Sequence, residues 1–362
     1  MRLIRPIQLV RVCAAGALML GFAVTVPAPV LGAPETTKKP ATTAKKSTTA
    51  RKTTYSASAS NARKARLARA RAAARAREQA RLRAVRVVRE AMTPRFKMDA
   101  TGALVPDIRA AAAVIFDPQS GQVLWGENAQ DTRSIASITK VMTAVVFLED
   151  QPDLSQVVTV ERVDTYAAST TYLRANERIT LDNLLHLTLI ASDNAAARAL
   201  ARLSHGGTAS FVERMNTKAA ELGLTSMSFA DPSGLNPENV SSAYDLSRLI
   251  TYAATDERIG PIVAPIMRTA EYKVATNRRT ISIHNTNRLV MDGDVDVLGG
   301  KTGFISKAGH CLATLLRLPQ TNQQVAVVVL GATSNPGRFW ETRHLFKWLN
   351  DKTTELFAKD QE

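Results

Sequence analysis

Cysteine is nearly absent from this 362-residue chain, which has only Cys13 and Cys311. Cys13 lies in an apolar N-terminal run. Once that run is removed, Cys311 stands alone and no intrachain disulfide can form. No His-Glu-x-x-His and no paired-cysteine spacing is present, so neither common zinc pattern applies and no metal or cofactor is expected. A Gly-x-Ser-x-Gly nucleophile elbow is also missing, which argues against a Ser-His-Asp hydrolase. Of the five histidines, His186 falls on an apolar helix and reads as core, and His284 in "HNTN" reads as structural. Acidic residues are scarce in the first 97 positions, where 22 Lys and Arg face Glu35, Glu78 and Glu90, a net +19. The rest of the chain has 25 basic and 29 acidic residues, a net −4. The overall +15 is therefore a property of a tail. It does not make the globular part a nucleic-acid binder, and no nucleic-acid partner is expected.

The chain divides by composition. Residues 1–33 read as an export signal: Arg2, Arg5 and Arg11, then "VCAAGALMLGFAV", then "PAPVLGA" ending in small residues. The apolar run is short of the roughly 20 residues a membrane span requires. An uncleaved anchor remains the alternative, because Leu31 and Pro34 make a poor processing site. Export places the protein in the periplasm. Residues 34–60, mostly Thr, Lys, Ala and Ser, bury too little apolar surface to fold and are expected to be disordered. Residues 61–100 form a basic Ala/Arg-rich segment of good helix formers without a sustained apolar face. Like-charge pairs such as Arg71/Arg75 and Arg77/Arg81 oppose an isolated helix there. The segment is either a solvated spacer or, with residues 34–97 as a whole, a contact to an anionic envelope surface.

Residues 101–362 read as one domain. "AAAVIFD-PQSG-QVLWGEN" is strand, turn, strand. Ser137 to Leu148 places Ile138, Val141, Met142, Val145 and Leu148 on one helical face. A second apolar helix follows at 181–190, and Ser242 with Asp245 has capping-box spacing at the start of a third. "DVLGGKTGF", "GHCLATLLRL" and "QQVAVVVLGA" are strands, and "GRFWETRHLFKWLNDK" is a closing helix. Strands at both ends with helices between them predict a single sheet built from both ends and covered by helices. Cys311 lies in one of these strands and reads as a buried small residue.

Three short motifs each occur once. Ser137 and Lys140 are three apart at a helix start, Ser192 and Asn194 follow the apolar helix, and Lys301, Thr302 and Gly303 lie on a strand. A serine at a helix N-terminus has free backbone N–H groups beside it, and a lysine one turn on shares its face. A second cation, Lys301, would lower the proton affinity of Lys140 and make it a better base.

This motif set, with the phrases "RSIASITKVMTAVV", "LLHLTLIASDNAAARALA", "FADPSGLNPENVSSAYDLSRLI", "HNTNRLV" and "KTGFISKAGHCLAT", resembles the low-molecular-mass penicillin-binding D,D-peptidases. Within that group the likeness to the D-alanyl-D-alanine endopeptidase branch is the greatest. It spans about residues 103 to 350. The resemblance implies the α/β (α+β) fold of serine β-lactamases and D,D-peptidases: a central antiparallel sheet covered by helices, plus a helical subdomain. It also implies an acyl-enzyme mechanism on peptidoglycan stem peptides, with β-lactams as covalent inhibitors. Ser137 would be the nucleophile, Lys140 its base and Ser192 a proton relay. Asn194 would hold Lys140 and the substrate amide, Lys301 would supply charge, and Thr302 would bind a substrate carboxylate. The N–H groups of Ser137 and Phe304 would form the oxyanion hole, and Gly303 would allow close approach. A D,D-carboxypeptidase is the near rival; only 59 residues follow Gly303, which favours the endopeptidase. A β-lactamase fits poorly, since Glu213, Glu221, Glu238 and Glu257 all lie outside a Glu-x-x-x-Asn phrase. A non-catalytic envelope-binding protein is a further alternative.

Overall fold

In the computed structural model, residues 57–359 are described. The expected signal at 1–33, and the expected disordered linker up to residue 56, lie outside the described residues. Helix α1 runs Ala57–Met92, so it begins inside the stretch expected to be disordered. Its side chains from Asn61 to Glu90 are exposed except Val88, which is half-buried. Among the described residues no helix is long and apolar enough to cross a membrane.

Alternation of apolar residues builds the centre of the fold. β1 (Ala112–Asp117), β2 (Gln122–Glu127), β3 (Asp296–Ile305), β4 (Gly309–Arg317) and β5 (Gln324–Ala332) form one antiparallel sheet in the order β3-β4-β5-β1-β2. β5 joins the two ends of the sequence, with Val328 opposite Val114 and Ala326 opposite Phe116. Both faces of the sheet are covered. Ala326, Val328 and Leu330 point into the larger core under the helices. Val325, Val327 and Val329 point the other way, onto Phe339, Leu345 and Phe346 of the closing helix α8 (Asn335–Lys359). The two-residue period of a strand sorts one apolar run into two cores. β3 is left at an edge.

The helices between β2 and β3 form the second layer. α2 (Thr139–Glu149) follows a 3₁₀ turn at Ala136–Ile138, and α3 (Leu181–Leu189), α4 (Asn194–Leu203) and α5 (Gly207–Glu221) pack around it. α6 (Ala243–Thr255) and α7 (Gly260–Arg268) bridge to the sheet. α2 departs from the one-sided helix expected. Every residue from Thr139 to Leu148 is buried, including three polar ones. Thr139 and Thr143 satisfy their hydroxyls on the Ala136 and Pro232 carbonyls, at 2.7 and 2.6 Å. Caps set the helix starts. Thr180 accepts from the Asn183 N–H, Asp193 from Ala196 and Ser242 from Asp245, each worth about 1 kcal/mol.

Order also begins earlier than the expected domain start at residue 101. Phe96–Met98 pairs with Leu104–Pro106, and Lys97 Nζ lies 2.7 Å from Glu127. Part of the expected basic tail thus belongs to the domain. The connection onward is held by Glu341 of α8, whose carboxylate accepts the Arg109 and Ala110 N–H groups at 2.9 and 3.0 Å. Glu341→Ala is expected to leave two donors without an acceptor and lower unfolding free energy by about 2–4 kcal/mol, with a smaller loss for Glu341→Gln. Urea unfolding midpoints check both.

Candidate active site

Three separate segments converge on the amine of Lys140. Its Nζ donates to Asn194 Oδ1 at 2.5 Å, to the Ser233 carbonyl at 2.5 Å, and lies 3.1 Å from Ser137 Oγ. Lys140 is fully buried. Desolvation is the largest influence on its proton affinity and brings its pKa down to about 7, against the opposing charges of Asp193 and Asp231 and with help from Arg198. The expected cause was crowding by Lys301; burial is the main one instead. Ser137 is half-buried and lies in the 3₁₀ turn, which has no side-chain cap. Its hydroxyl is therefore not occupied as a helix cap.

Lys301 is the second buried amine. It donates to Ser192 Oγ at 2.8 Å and to the Thr302 carbonyl at 3.0 Å. Burial first, then the charges of Lys140 and Arg338, push its proton affinity well below that of an ordinary lysine. A carboxylate entering beside it would reverse that shift. Thr302 Oγ1 bonds Thr286 Oγ1 at 2.7 Å, and the Thr286 N–H bonds the Ile190 carbonyl at the end of α3. The "HNTN" phrase thus ties the helical layer to β3 through its threonine. His284 is exposed beside Glu271, and His186 stacks on Tyr272; neither reaches the two amines.

Two glycines set the spacing. A Cβ at Gly303 would lie 2.6 Å from the Ile135 carbonyl and 3.2 Å from the Ser137 N. One at Gly234, where φ is +81°, would lie 2.1 Å from the Ala136 carbonyl. Ser137 N therefore sits in a slot between two bare backbones, reached through Ala136 at φ +49°. Ser192 also has positive φ, +58°. Such non-glycine conformations cost about 1–2 kcal/mol each and are held by surrounding structure. Arg338 on α8 donates through one nitrogen to the Gly303 and Cys311 carbonyls, at 2.9 and 3.1 Å. Those two residues face each other across β3 and β4. Antiparallel alternation then turns the Phe304 N–H to the free edge, on the side of Ser137.

The seven motif residues, and Phe304 from the family resemblance, thus lie together where β3 meets the starts of α2 and α4. Sequence reasoning missed Asp193, Ser233, Gly234, Thr286 and Arg338. Asp193 is buried and caps α4 while its other oxygen accepts from Thr171 Oγ1 and the Tyr172 N–H. It holds the loop whose Ala168 carbonyl receives Asn194 Nδ2 at 2.7 Å. Among the described residues no cluster of His, Cys, Asp and Glu could hold a metal ion.

The comparisons agree with this geometry. Residues 99–334 match the family model described as D-alanyl-D-alanine carboxypeptidase. The chain belongs to that family. The chain is 34% identical, over 69% of its length and 80% of the relative's, to a D-alanyl-D-alanine endopeptidase of Escherichia coli K12. A D-alanyl-D-alanine carboxypeptidase of Bacillus subtilis is 30% identical over 70% of this chain and 65% of the relative. Among solved structures, the Streptomyces K15 DD-transpeptidase superposes with a TM-score of 0.62 at 27% identity, over 67% of this chain and 97% of that one. The peptidase is thus a serine-type hydrolase with the mixed α/β fold, central antiparallel sheet and helical layer the motifs implied. Gly303→Ala in this peptidase is expected to preserve folding yet displace the Ser137 turn. A shift of that size lowers acylation by about 100-fold; stopped-flow acylation with a β-lactam, beside thermal melting, checks it.

Proposed function

We propose that this peptidase is a periplasmic D,D-endopeptidase that splits D-Ala–diamino-acid crosslinks in peptidoglycan through an acyl-enzyme. The observation that carries the mechanism is the buried Lys140 amine, 3.1 Å from Ser137 Oγ with a pKa of about 7. Near neutral pH such an amine is a competent general base. Lys140 takes the Ser137 proton as Oγ bonds the D-Ala carbonyl carbon. The oxyanion is held by the Ser137 and Phe304 N–H groups, interactions worth about 2.7–4 kcal/mol each in comparable sites. Collapse breaks the C–N bond, and the leaving amine takes a proton through Ser192. Lys301 and Thr302 bind the carboxylate of the leaving residue, and Asn194 orients Lys140 and the substrate amide. Water then hydrolyses the ester.

A carboxypeptidase that removes a terminal D-Ala uses the same groups. The endopeptidase reading is favoured by relatives named endopeptidase in three species, at 33–34% identity over 78–80% of their length. The carboxypeptidase relatives match over 62–65% of theirs. The exposed arginines of α1 further support attachment to an anionic envelope surface. Arg95 and Lys97 are engaged with Asp107 and Glu127 and are left out of that role. Deleting residues 34–88 should reduce low-salt binding to sacculi while leaving hydrolysis of soluble peptides intact; unchanged binding rejects the attachment.

Crosslinked muropeptide dimers should be split at the D-Ala–diamino-acid bond, whereas loss of D-Ala from pentapeptides alone selects the carboxypeptidase. Labelled penicillin should mark the protein, and Ser137→Ala should abolish the label. Because the neutral amine is the active form, acylation should rise with pH through about 7 and level off above about 8. A rate flat from pH 5.5 to 8.5 would exclude Lys140 as the base.

A further inference from the structure

Beyond Phe304 the free edge of β3 runs into an open pocket of about 490 Å³, lined by Arg133, Phe304, Ser306, Lys307, His310 and Thr333 among others. It continues the contact that positions Ser137. Phe304 follows Gly303, and Arg133 lies two residues before Ile135, whose carbonyl Gly303 abuts. The backbone of Arg133 is fixed by pairing with Ser241.

The pocket is a built feature of the sheet. The β4–β5 register shifts between His310 and Leu312, and His310 pairs with Ala332 past the irregularity. Bulges of this kind re-aim side chains beside functional sites. Gly331 takes φ +70°, and a Cβ there would lie 2.9 Å from Ala111 Cβ and 3.3 Å from Arg133 Nη2. Bare backbone at 331 is what gives the guanidinium its place.

The chemistry of the lining is one-sided. Arg133 Nε and His310 Nδ1 are buried without a hydrogen-bond partner among the described residues. The Phe304 ring stacks on His310 with centroids 4.3 Å apart. Burial, then the charge of Arg338, lowers the His310 pKa. Lys307 is exposed, 3.4 Å from Glu238. Among the described residues no carboxylate belongs to the lining. A guanidinium in the wall of a pocket lined by no carboxylate matches a carboxylate ligand, and a stacked aromatic pair matches an aliphatic chain.

Direction identifies the ligand, and here the argument rests on the endopeptidase reading. With the leaving residue's carboxylate at Thr302 and the scissile oxygen between the Ser137 and Phe304 N–H groups, an extended substrate must leave on the donor side past Phe304. We propose that Arg133, His310 and Phe304 form a subsite for the donor stem peptide, taking the side chain of its diamino acid where that side chain ends in a carboxylate. Arg133 binds the carboxylate through its Nη groups at the pocket wall, and the Phe304–His310 stack carries the methylene chain.

The test uses the full chain and two crosslinked peptide dimers that differ only at the donor side-chain end, free carboxylate against primary amide. The wild type should prefer the carboxylate by about tenfold or more in kcat/KM, chiefly through KM, as expected for one charge-assisted hydrogen-bonded pair. Arg133→Gln should reduce the preference below about twofold, with acylation by a small β-lactam and thermal melting unchanged. Equal turnover of both dimers by the wild type, a measurement that needs no variant, overturns the subsite and leaves the endopeptidase reading standing. So does a preference that survives in a folded Arg133→Gln. Turnover of neither dimer by a protein that still acylates overturns the endopeptidase reading and the subsite with it.

Discussion

Everything in this molecule is arranged around keeping one lysine amine out of water. An unpaired buried ammonium is costly, so the fold must either discharge it or surround it. Here it does some of both. Lys140 is brought down to a pKa of about 7 by burial, yet keeps three close oxygen neighbours, from Ser137, Asn194 and Ser233. Those oxygens come from a 3₁₀ turn, a helix start and a loop far apart in sequence. The helical layer is assembled so that they meet, and α2 is buried on every side because its lysine is.

The same constraint explains where strain is tolerated. Ala136 and Ser192 hold positive φ beside the two corners that carry the serines. Gly303 and Gly234 leave room for backbone where a methyl group would collide with the Ser137 turn. Arg338 is drawn to the opposite side of β3, where it fixes the Gly303 and Cys311 carbonyls and adds positive charge behind Lys301. Two buried amines and a guanidinium thus lie in one seam, each with its proton affinity lowered chiefly by burial.

Much of this is legible in the sequence. Strand alternation gave the sheet and its use of both chain ends, three motifs of fixed spacing gave seven candidate site residues, and the family resemblance added Phe304. What stayed hidden was of two kinds. Ser233 contributes a backbone carbonyl, and Gly234 an absence of side chain, so residue chemistry offered no signal at either. Asp193 and Thr286 act through neighbours, Asp193 by pinning a loop and Thr286 by bonding Thr302, and such roles depend on packing that spacing does not encode. The cause of the Lys140 shift was misjudged for the same reason: proximity of two lysines can be guessed from motifs, but depth of burial cannot. α1 shows the converse, since like-charge pairs argued against a helix that high Ala and Arg content favours.

β3 leaves one side of its backbone unpaired, and an open strand edge is a standing invitation for other chains to add to it. In this fold the invitation is screened. Lys301 reaches across to Ser192, and Thr286 couples β3 to the end of α3, so the helical layer stands opposite the edge like the facing jaw of a vice. The opposite edge, β2, is six residues long and carries the Lys97–Glu127 ion pair near its end. The helical layer facing β3 thereby shields that edge from strand addition by a second sheet.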